Sequence, residues 1–254
     1  MFANERLHEI LNILKKDGKV KVKDLSIKFN VTEDCIRKDL KTLEKDNNLK
    51  RIYGGAVLTR ETFTGHDIKI RKESNTESKQ IIAEKAFDLI KENETIFLDI
   101  STTNILLAKL LASNNKRVTI VTNMLDVLNV VSSYKHNLTI ISVGGVLNSS
   151  LDGFVGACAI DFISKYKFDK SFIGSCGVDV FDSSLSAFDI EDGITKSKIL
   201  NCSKKGYLVI ENNKFNIDGN YKFCSLEDID GIITDTTPNQ ETLDILSELN
   251  ISIF

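Results

Sequence analysis

The sequence predicts two modules of different class: an N-terminal winged helix-turn-helix, α-helical with a small β wing, and after it a larger α/β domain. Three observations carry this expectation. Residues 20–59 set two short amphipathic stretches around a tight turn and follow them with a hairpin pattern centred on glycine. From Thr76 onward, strand-length apolar runs alternate with runs of helical period, the pattern of a mostly parallel sheet covered on both faces. The charge is also split: residues 1–60 hold 14 Lys+Arg against 9 Asp+Glu, a net of +5, whereas residues 61–254 carry −8. A basic unit on an acidic remainder suggests that contact with nucleic-acid phosphates is confined to the first module, although the whole chain carries −3.

Within the first module, Ile10, Leu11, Ile13 and Leu14 have helical spacing and end near Asp17-Gly18. A short stretch, Lys19–Lys21, follows. A second helix begins about Lys23, buries Leu25 and Phe29, and stops at Asn30, a residue that tolerates the left-handed conformation. Thr32 is a suitable N-cap for the third helix, with Glu33 and Asp34 in its first turn where the dipole favours carboxylates. That helix runs to about Asp46. Ile36, Leu40 and Leu43 form its buried stripe, and Arg37, Lys38, Lys41 and Lys45 lie opposite. Leu49–Tyr53 and Ala56–Thr59 then alternate around Gly54-Gly55 as a wing, with Lys50 and Arg51 placed to reach the DNA backbone.

A charge run is usually only a solvated face, but here turn, cap, stripe and wing agree on one geometry, that of a major-groove reader. Thr32, Asp34, Cys35, Arg37 and Lys38 occupy the first turns, which meet base edges. Lys41 and Lys45 lie further along and are expected on phosphates.

Residues 60–75 are polar, mixed in charge, and read as a linker. Helices are expected at about Glu77–Lys91, Asn104–Leu111, from Met124, Ile190–Cys202 and Gln240–Leu249. Strands are expected at Thr95–Asp99, Val118–Val121, Leu138–Val143, Ser171–Ile173, Gly206–Ile210, Gly231–Thr234 and Ile251–Phe254. Ligands of such sheets sit beyond the carboxyl ends of the strands. Those ends hold Asp99 with Ser101, Thr102 and Thr103; Thr122 with Asn123; and Gly144 with Gly145. The hydroxyl-rich turns either cap helices or offer free N–H groups to an anion, and their recurrence favours a polar-ligand pocket. The glycines either relieve crowding in a turn or let backbone approach a ligand.

Other chemistries find little support. Neither G-x-G-x-x-G nor G-x-x-x-x-G-K-[ST] is present, and no cofactor is expected. The five cysteines are scattered without a C-x-x-C pair and there are three histidines, so neither zinc spacing nor a disulfide framework is expected. Buried thiols in a reducing cytosol are the expectation. No apolar run approaches the roughly 18 residues that cross a bilayer, and the N-terminus carries charges inside its apolar pattern, unlike a secretory signal. A cytoplasmic protein without membrane contact is expected.

The stretch Val20–Ala56, V-K-V-K-D-L-S-I-K-F-N-V-T-E-D-C-I-R-K-D-L-K-T-L-E-K-D-N-N-L-K-R-I-Y-G-G-A, resembles the DeoR-type helix-turn-helix, with Cys35 and Lys38 departing from its usual Thr and Arg. The larger module resembles the DeoR C-terminal sensor domain, itself similar in fold to ribose-5-phosphate isomerase. The matching pieces are K-Q-I-I-A-E-K-A (Lys79–Ala86), I-F-L-D-I-S-T-T (Ile96–Thr103), V-T-N (Val121–Asn123), V-G-G (Val143–Gly145), V-G-A (Val155–Ala157), F-I-G-S-C-G-V-D (Phe172–Asp179), E-D-G-I-T-K (Glu191–Lys196) and N-K-F (Asn213–Phe215).

The resemblance implies modules at 1–59 and 76–254 joined by 60–75. It implies a sequence-specific repressor of a sugar-metabolism operon whose affinity for double-stranded operator DNA is set by a small phosphorylated sugar. Ser101, Thr102, Thr103, Thr122, Asn123, Gly145 and Lys196 are the implied ligand contacts, with Asp99, Asp179 and Asp192 as polar neighbours and Gly144 beside them. By periodicity alone Lys196 would be solvated. One helix-turn-helix makes few base contacts, so a homo-oligomer, dimer or tetramer, is expected. The alternative is a sugar-phosphate isomerase carrying a DNA-binding module. Against it, no histidine falls in the candidate turns: His8, His66 and His136 lie elsewhere.

Overall fold

The computed structural model describes residues 2–46, 48–63, 67–134 and 137–254, apart from the side chains of Lys15, Lys16 and Leu58. Part of the expected linker (64–66), with His66, and His136 lie outside the described residues. Contacts divide the chain into two units, Met1–Glu61 with Pro238–Asp244, and Thr62–Thr237 with Ile245–Phe254.

The first unit contains α1 (Ala3–Asp17), β1 (Lys19–Lys21), α2 (Val22–Phe29), α3 (Glu33–Lys45), β2 (Leu49–Ile52) and β3 (Gly55–Leu58). α1 ends on Gly18 at φ 72 and α2 on Asn30 at φ 52, left-handed caps that glycine and asparagine accept at low cost. The Thr32 hydroxyl accepts the Cys35 N–H at 3.3 Å, as an N-cap should. Ile10, Leu14, Leu25, Ile36, Leu40, Leu43, Leu49 and Ala56 form its core. The wing is a sheet in the order β1-β3-β2. Ile52 pairs with Gly55, leaving Tyr53-Gly54 as a two-residue turn. A Cβ on Gly55 would lie 2.0 Å from the Val20 carbonyl, so only glycine lets β3 approach β1.

Beyond β4 (Glu61–Thr62), the second unit opens with α4 (Ile68–Glu73) and α5 (Thr76–Leu89). Then come β5 (Thr95–Leu98), α6 (Thr102–Ala112), β6 (Thr119–Thr122), α7 (Leu125–Ser132), β7 (Thr139–Ser142), β8 (Val146–Asn148) and β9 (Gly153–Val155). They are followed by α8 (Ala157–Ile163), β10 (Lys170–Ile173), β11 (Gly177–Asp179), β12 (Ser184–Ala187), α9 (Ile190–Asn201) and β13 (Gly206–Val209). The last are β14 (Ile217–Asp218), β15 (Tyr221–Ser225), β16 (Gly231–Ile233) and β17 (Ser252–Ile253), with α10 (Gln240–Glu248) divided between the two units after Asp244.

Among the described residues, seven strands form one sheet in the order β17-β16-β13-β10-β5-β6-β7, and every pairing in it is parallel. Alternate residues of its central strands feed two cores, Ile96 and Leu98 on one face and Phe97 on the other. The α/β class holds. Three features go beyond the sequence reading. The antiparallel sheet β11-β12-β15 and the hairpin β8-β9 are built from strands of only three to five residues, too short to show a period in the sequence. Part of the stretch read as linker is α4, capped by the Asp67 side chain and anchored by Ile68, which is buried. No helix among the described residues is long and apolar enough to cross a membrane.

Candidate functional site

The first unit offers an open basic face. Arg37, Lys38, Lys41 and Lys45 are exposed on α3, while Ile36, Asp39, Leu40 and Leu43 face inward. Arg37 is held on its own helix by Glu33 at 2.6 Å and Asp34 at 2.7 Å. Exposed pairs at this spacing are worth only about 0.3–0.5 kcal/mol, so a phosphate or guanine displaces the carboxylates at small cost.

Cys35 does not join that face. It lies one helical turn before Asp39, and Arg6 Nη2 donates to its Sγ at 3.3 Å. Arg6 Nε also donates to Asp39 at 2.6 Å, so this buried ion pair ties α1 to α3. The helical period therefore turns Cys35 from the expected base-reading set toward the packing side. Arg51 is also engaged: its Nε and backbone N–H both donate to Glu44, at 2.6 and 2.9 Å, binding the wing to α3. Lys50, Gly54 and Tyr53 remain exposed around the turn.

In the second unit the expected residues gather at the carboxyl ends of β5, β6 and β10. Ser101 Oγ accepts the Thr103 N–H at 3.2 Å and caps α6, with Thr102 and Thr103 buried in its first turn. Asp99 is fully buried. Its Oδ2 accepts from Lys196 Nζ at 2.5 Å and from the Gly174 N–H at 3.1 Å, while its Oδ1 has no hydrogen-bond partner. Lys196 also meets Asp192 at 3.0 Å, one turn back on α9. Burial pushes Asp99 up to about 6, against the pull of Lys196. Burial opposes the charge on Lys196, yet Asp192 and Asp99 outweigh it and hold the ammonium protonated.

Asn123 donates to the Phe154 carbonyl at 3.0 Å and leaves its own buried Oδ1 unpartnered. Buried acceptors without partners call for a ligand or water donor. Thr122 is different: its hydroxyl donates to the Leu98 carbonyl at 2.7 Å and accepts the Met124 N–H at 3.1 Å, so it is spent inside the fold. A Cβ on Gly145 would come 3.0 Å from the Val155 carbonyl, a packing reason for that glycine, whereas around Gly144 the space is open. Asp179 lies in the antiparallel sheet, on a strand separate from the parallel strand ends. At the end of β11 it accepts the N–H groups of Phe181 and Asp182, at 2.9 and 3.1 Å, and closes a turn.

Beside the Asp99–Lys196–Asp192 cluster lies a set of cations that sequence reasoning missed. Arg71 on α4 and Lys214 are each held below their ordinary proton affinity by burial, and the charge of Arg71 lowers Lys214 further. Burial does the same to Lys79, which ion-pairs with Glu211 at 3.7 Å. Arg71 Nε is buried without a hydrogen-bond partner. The carboxylates that face these three desolvated cations are Glu211, for Lys79 and Lys214, and Asp192 and Asp67, for Arg71. One signal for Lys79 was present: with Ile82, Ala83 and Ala86 it lies on the buried stripe of α5, where a cation needs a reason.

The family model described as the DeoR-like helix-turn-helix domain matches residues 6–62, and that of the DeoR C terminal sensor domain matches residues 74–236. Over the full chain and 99% of the relative, the sequence is 33% identical to the glycerol-3-phosphate regulon repressor of Escherichia coli. It is 30% identical to the HTH-type transcriptional repressor GlcR of Bacillus subtilis, over the full chain and 96% of that protein. It is 32% identical to the lactose phosphotransferase system repressor of Staphylococcus epidermidis, over 91% of each chain. These relatives are named as repressors, not as enzymes. Among solved structures, ribose 5-phosphate isomerase A from Methanocaldococcus jannaschii is 14% identical with a TM-score of 0.41, covering 57% of this chain and 55% of that one.

Proposed function

The chain belongs to the DeoR family of transcriptional regulators, and from that premise we propose that it is a repressor released from or recruited to its operator by a phosphorylated sugar. A DNA-binding module over 1–59 reads the major groove with α3 and is joined through 60–75 to a sensor over 76–254. It acts as a homo-oligomer on paired half-sites, in the cytoplasm where its operator is. Arg37 and Lys38 read bases from the first turns of α3, and Lys41, Lys45 and Lys50 neutralise phosphates.

The observation that carries the effector reading is the two-part chemistry of the pocket. Asp99 Oδ1 and Asn123 Oδ1 are buried acceptors awaiting donors, which sugar hydroxyls supply. Arg71, whose buried Nε lacks a partner, and Lys214 are desolvated cations that a phosphate would satisfy, with Lys79, already facing Glu211, beside them. Ser101, Thr102 and Thr103 at the α6 N-terminus and Gly144 line the same strand ends and complete the contacts. The names of two relatives, with glycerol 3-phosphate in one and a phosphotransferase system in the other, point the same way.

Calorimetry of the full chain with fructose 6-phosphate, ribose 5-phosphate and glycerol 3-phosphate, each beside its unphosphorylated form, tests the reading. At least one ester binds, its parent polyol does not, and Lys214→Ala weakens the ester about tenfold or more. Equal binding of ester and polyol, or no binding of any ester, contradicts it.

A further inference from the structure

Two consecutive residues of α4 are anchored in different places. Arg71 contributes to the cation cluster, with Nε buried and unpartnered. Lys72 pairs with Asp126 in the first turn of α7 and lies 3.7 Å from Asp152, which follows β8. Burial and the neighbouring Asp126 carboxylate raise Asp152, and Lys72, which meets both carboxylates, is the cation that balances the pair.

The C-terminal end of α4 is held by a third residue. Lys79 Nζ donates to the Arg71 carbonyl and, at 2.6 Å, to that of Ser74, taking two of its three protons to the end of the helix. Its remaining charge faces Glu211. Lys79 is thus at once a member of the cation cluster and the C-terminal clamp of α4. An anion that reaches Arg71 and Lys79 competes with the Arg71 and Ser74 carbonyls for the same ammonium protons, and offers Arg71 the partner it lacks. Either event changes how firmly α4 is held. In sequence, α4 begins ten residues after the end of β3, the last wing strand.

We propose that α4 is the element through which occupancy of the pocket is transmitted to the DNA-binding module, with Arg71 and Lys79 sensing the anion and Lys72, on Asp126 and Asp152, holding the helix as the fulcrum. The inference rests on the reading of the pocket as an anion site. It makes Lys72 a coupling residue rather than a ligand contact, because its ammonium is committed to the carboxylate pair. A ligand shifts an equilibrium only by its different affinity for the two states, so loosening the fulcrum lowers coupling while leaving binding in place.

The test uses the full chain, a duplex selected in vitro by the wild-type protein, and three probes: inorganic phosphate, glycerol 3-phosphate and fructose 6-phosphate. Two quantities are read for wild type, Lys72→Ala, Lys72→Arg and Asp152→Asn: the probe Kd, and the ratio of duplex Kd with and without saturating probe. In Lys72→Ala and Asp152→Asn the probe Kd stays within about twofold of wild type. The duplex ratio, about 5–150-fold in wild type, falls toward one, and Lys72→Arg restores it. Asp152→Asn keeps the side-chain shape and decides the matter if Lys72→Ala does not fold. An undiminished ratio in both variants overturns the role of α4 while the pocket reading stands. Failure of all three probes to bind wild type overturns the pocket reading and this inference with it.

Discussion

Lys196 sits where the buried charges of the second unit balance. Its ammonium lies between Asp99 at 2.5 Å and Asp192 at 3.0 Å, all three side chains nearly inaccessible. Removing one partner of a buried ion pair typically costs about 3–5 kcal/mol, because the remaining charge is left without compensation. Lys196→Met is therefore expected to lower unfolding free energy by about that amount in urea titration, and adding Asp99→Asn to recover much of it. A loss under about 1 kcal/mol would show that the carboxylates are solvated. Asp99 sets the pH dependence. Its folded value, about 6, lies above the unfolded value of about 4, so folding takes up a proton between them. The stabilisation is complete below about pH 4 and is lost as pH rises through about 6. Wild type should lose stability relative to Asp99→Asn across that window and run parallel above it; parallel curves throughout would contradict the shift. The Lys196 contact was legible only through the family resemblance, since periodicity alone would leave this lysine in water. Arg71 and Lys214 were not legible, because their meeting is made by elements more than a hundred residues apart.

At the level of elements, legibility follows locality. The cap at Thr32, the left-handed stop at Asn30 and the stripe Ile36–Leu40–Leu43 are encoded within a turn or two, and α1–α3 appear close to where the sequence puts them. The parallel strands are short apolar runs between helices, and they too appear in place. What escaped is made by distant pairing or by few residues. β12, Ser-Leu-Ser-Ala, has one large apolar side chain and becomes a strand because β11 and β15 flank it. α4, six residues long with four of them charged, reads as linker until Ile68 is seen buried. The wing offers a sharp test. With Val20 O 2.0 Å from the missing Cβ, Gly55→Ala forces β3 from β1 and is expected to cost about 1–3 kcal/mol by overpacking. DNA affinity should fall with it, whereas Gly54→Asn, at a φ of 80 with open space around it, should fold as wild type. Equal melting temperatures for Gly55→Ala and wild type would remove the steric argument.

For the whole molecule, the proposed function joins a cationic face of α3, proposed to contact DNA, to a group of buried acceptors and desolvated cations proposed to take a phosphorylated sugar. Each half is explained by its own geometry; the claim that unites them is energetic coupling. The most direct measurement is the operator Kd of the full chain, by fluorescence anisotropy at fixed salt, with and without a sugar phosphate whose saturation has been established by calorimetry. The account predicts a change of about 5–150-fold in one direction, corresponding to about 1–3 kcal/mol of coupling, and none with the unphosphorylated sugar. The same operator Kd with the pocket filled and empty would contradict it.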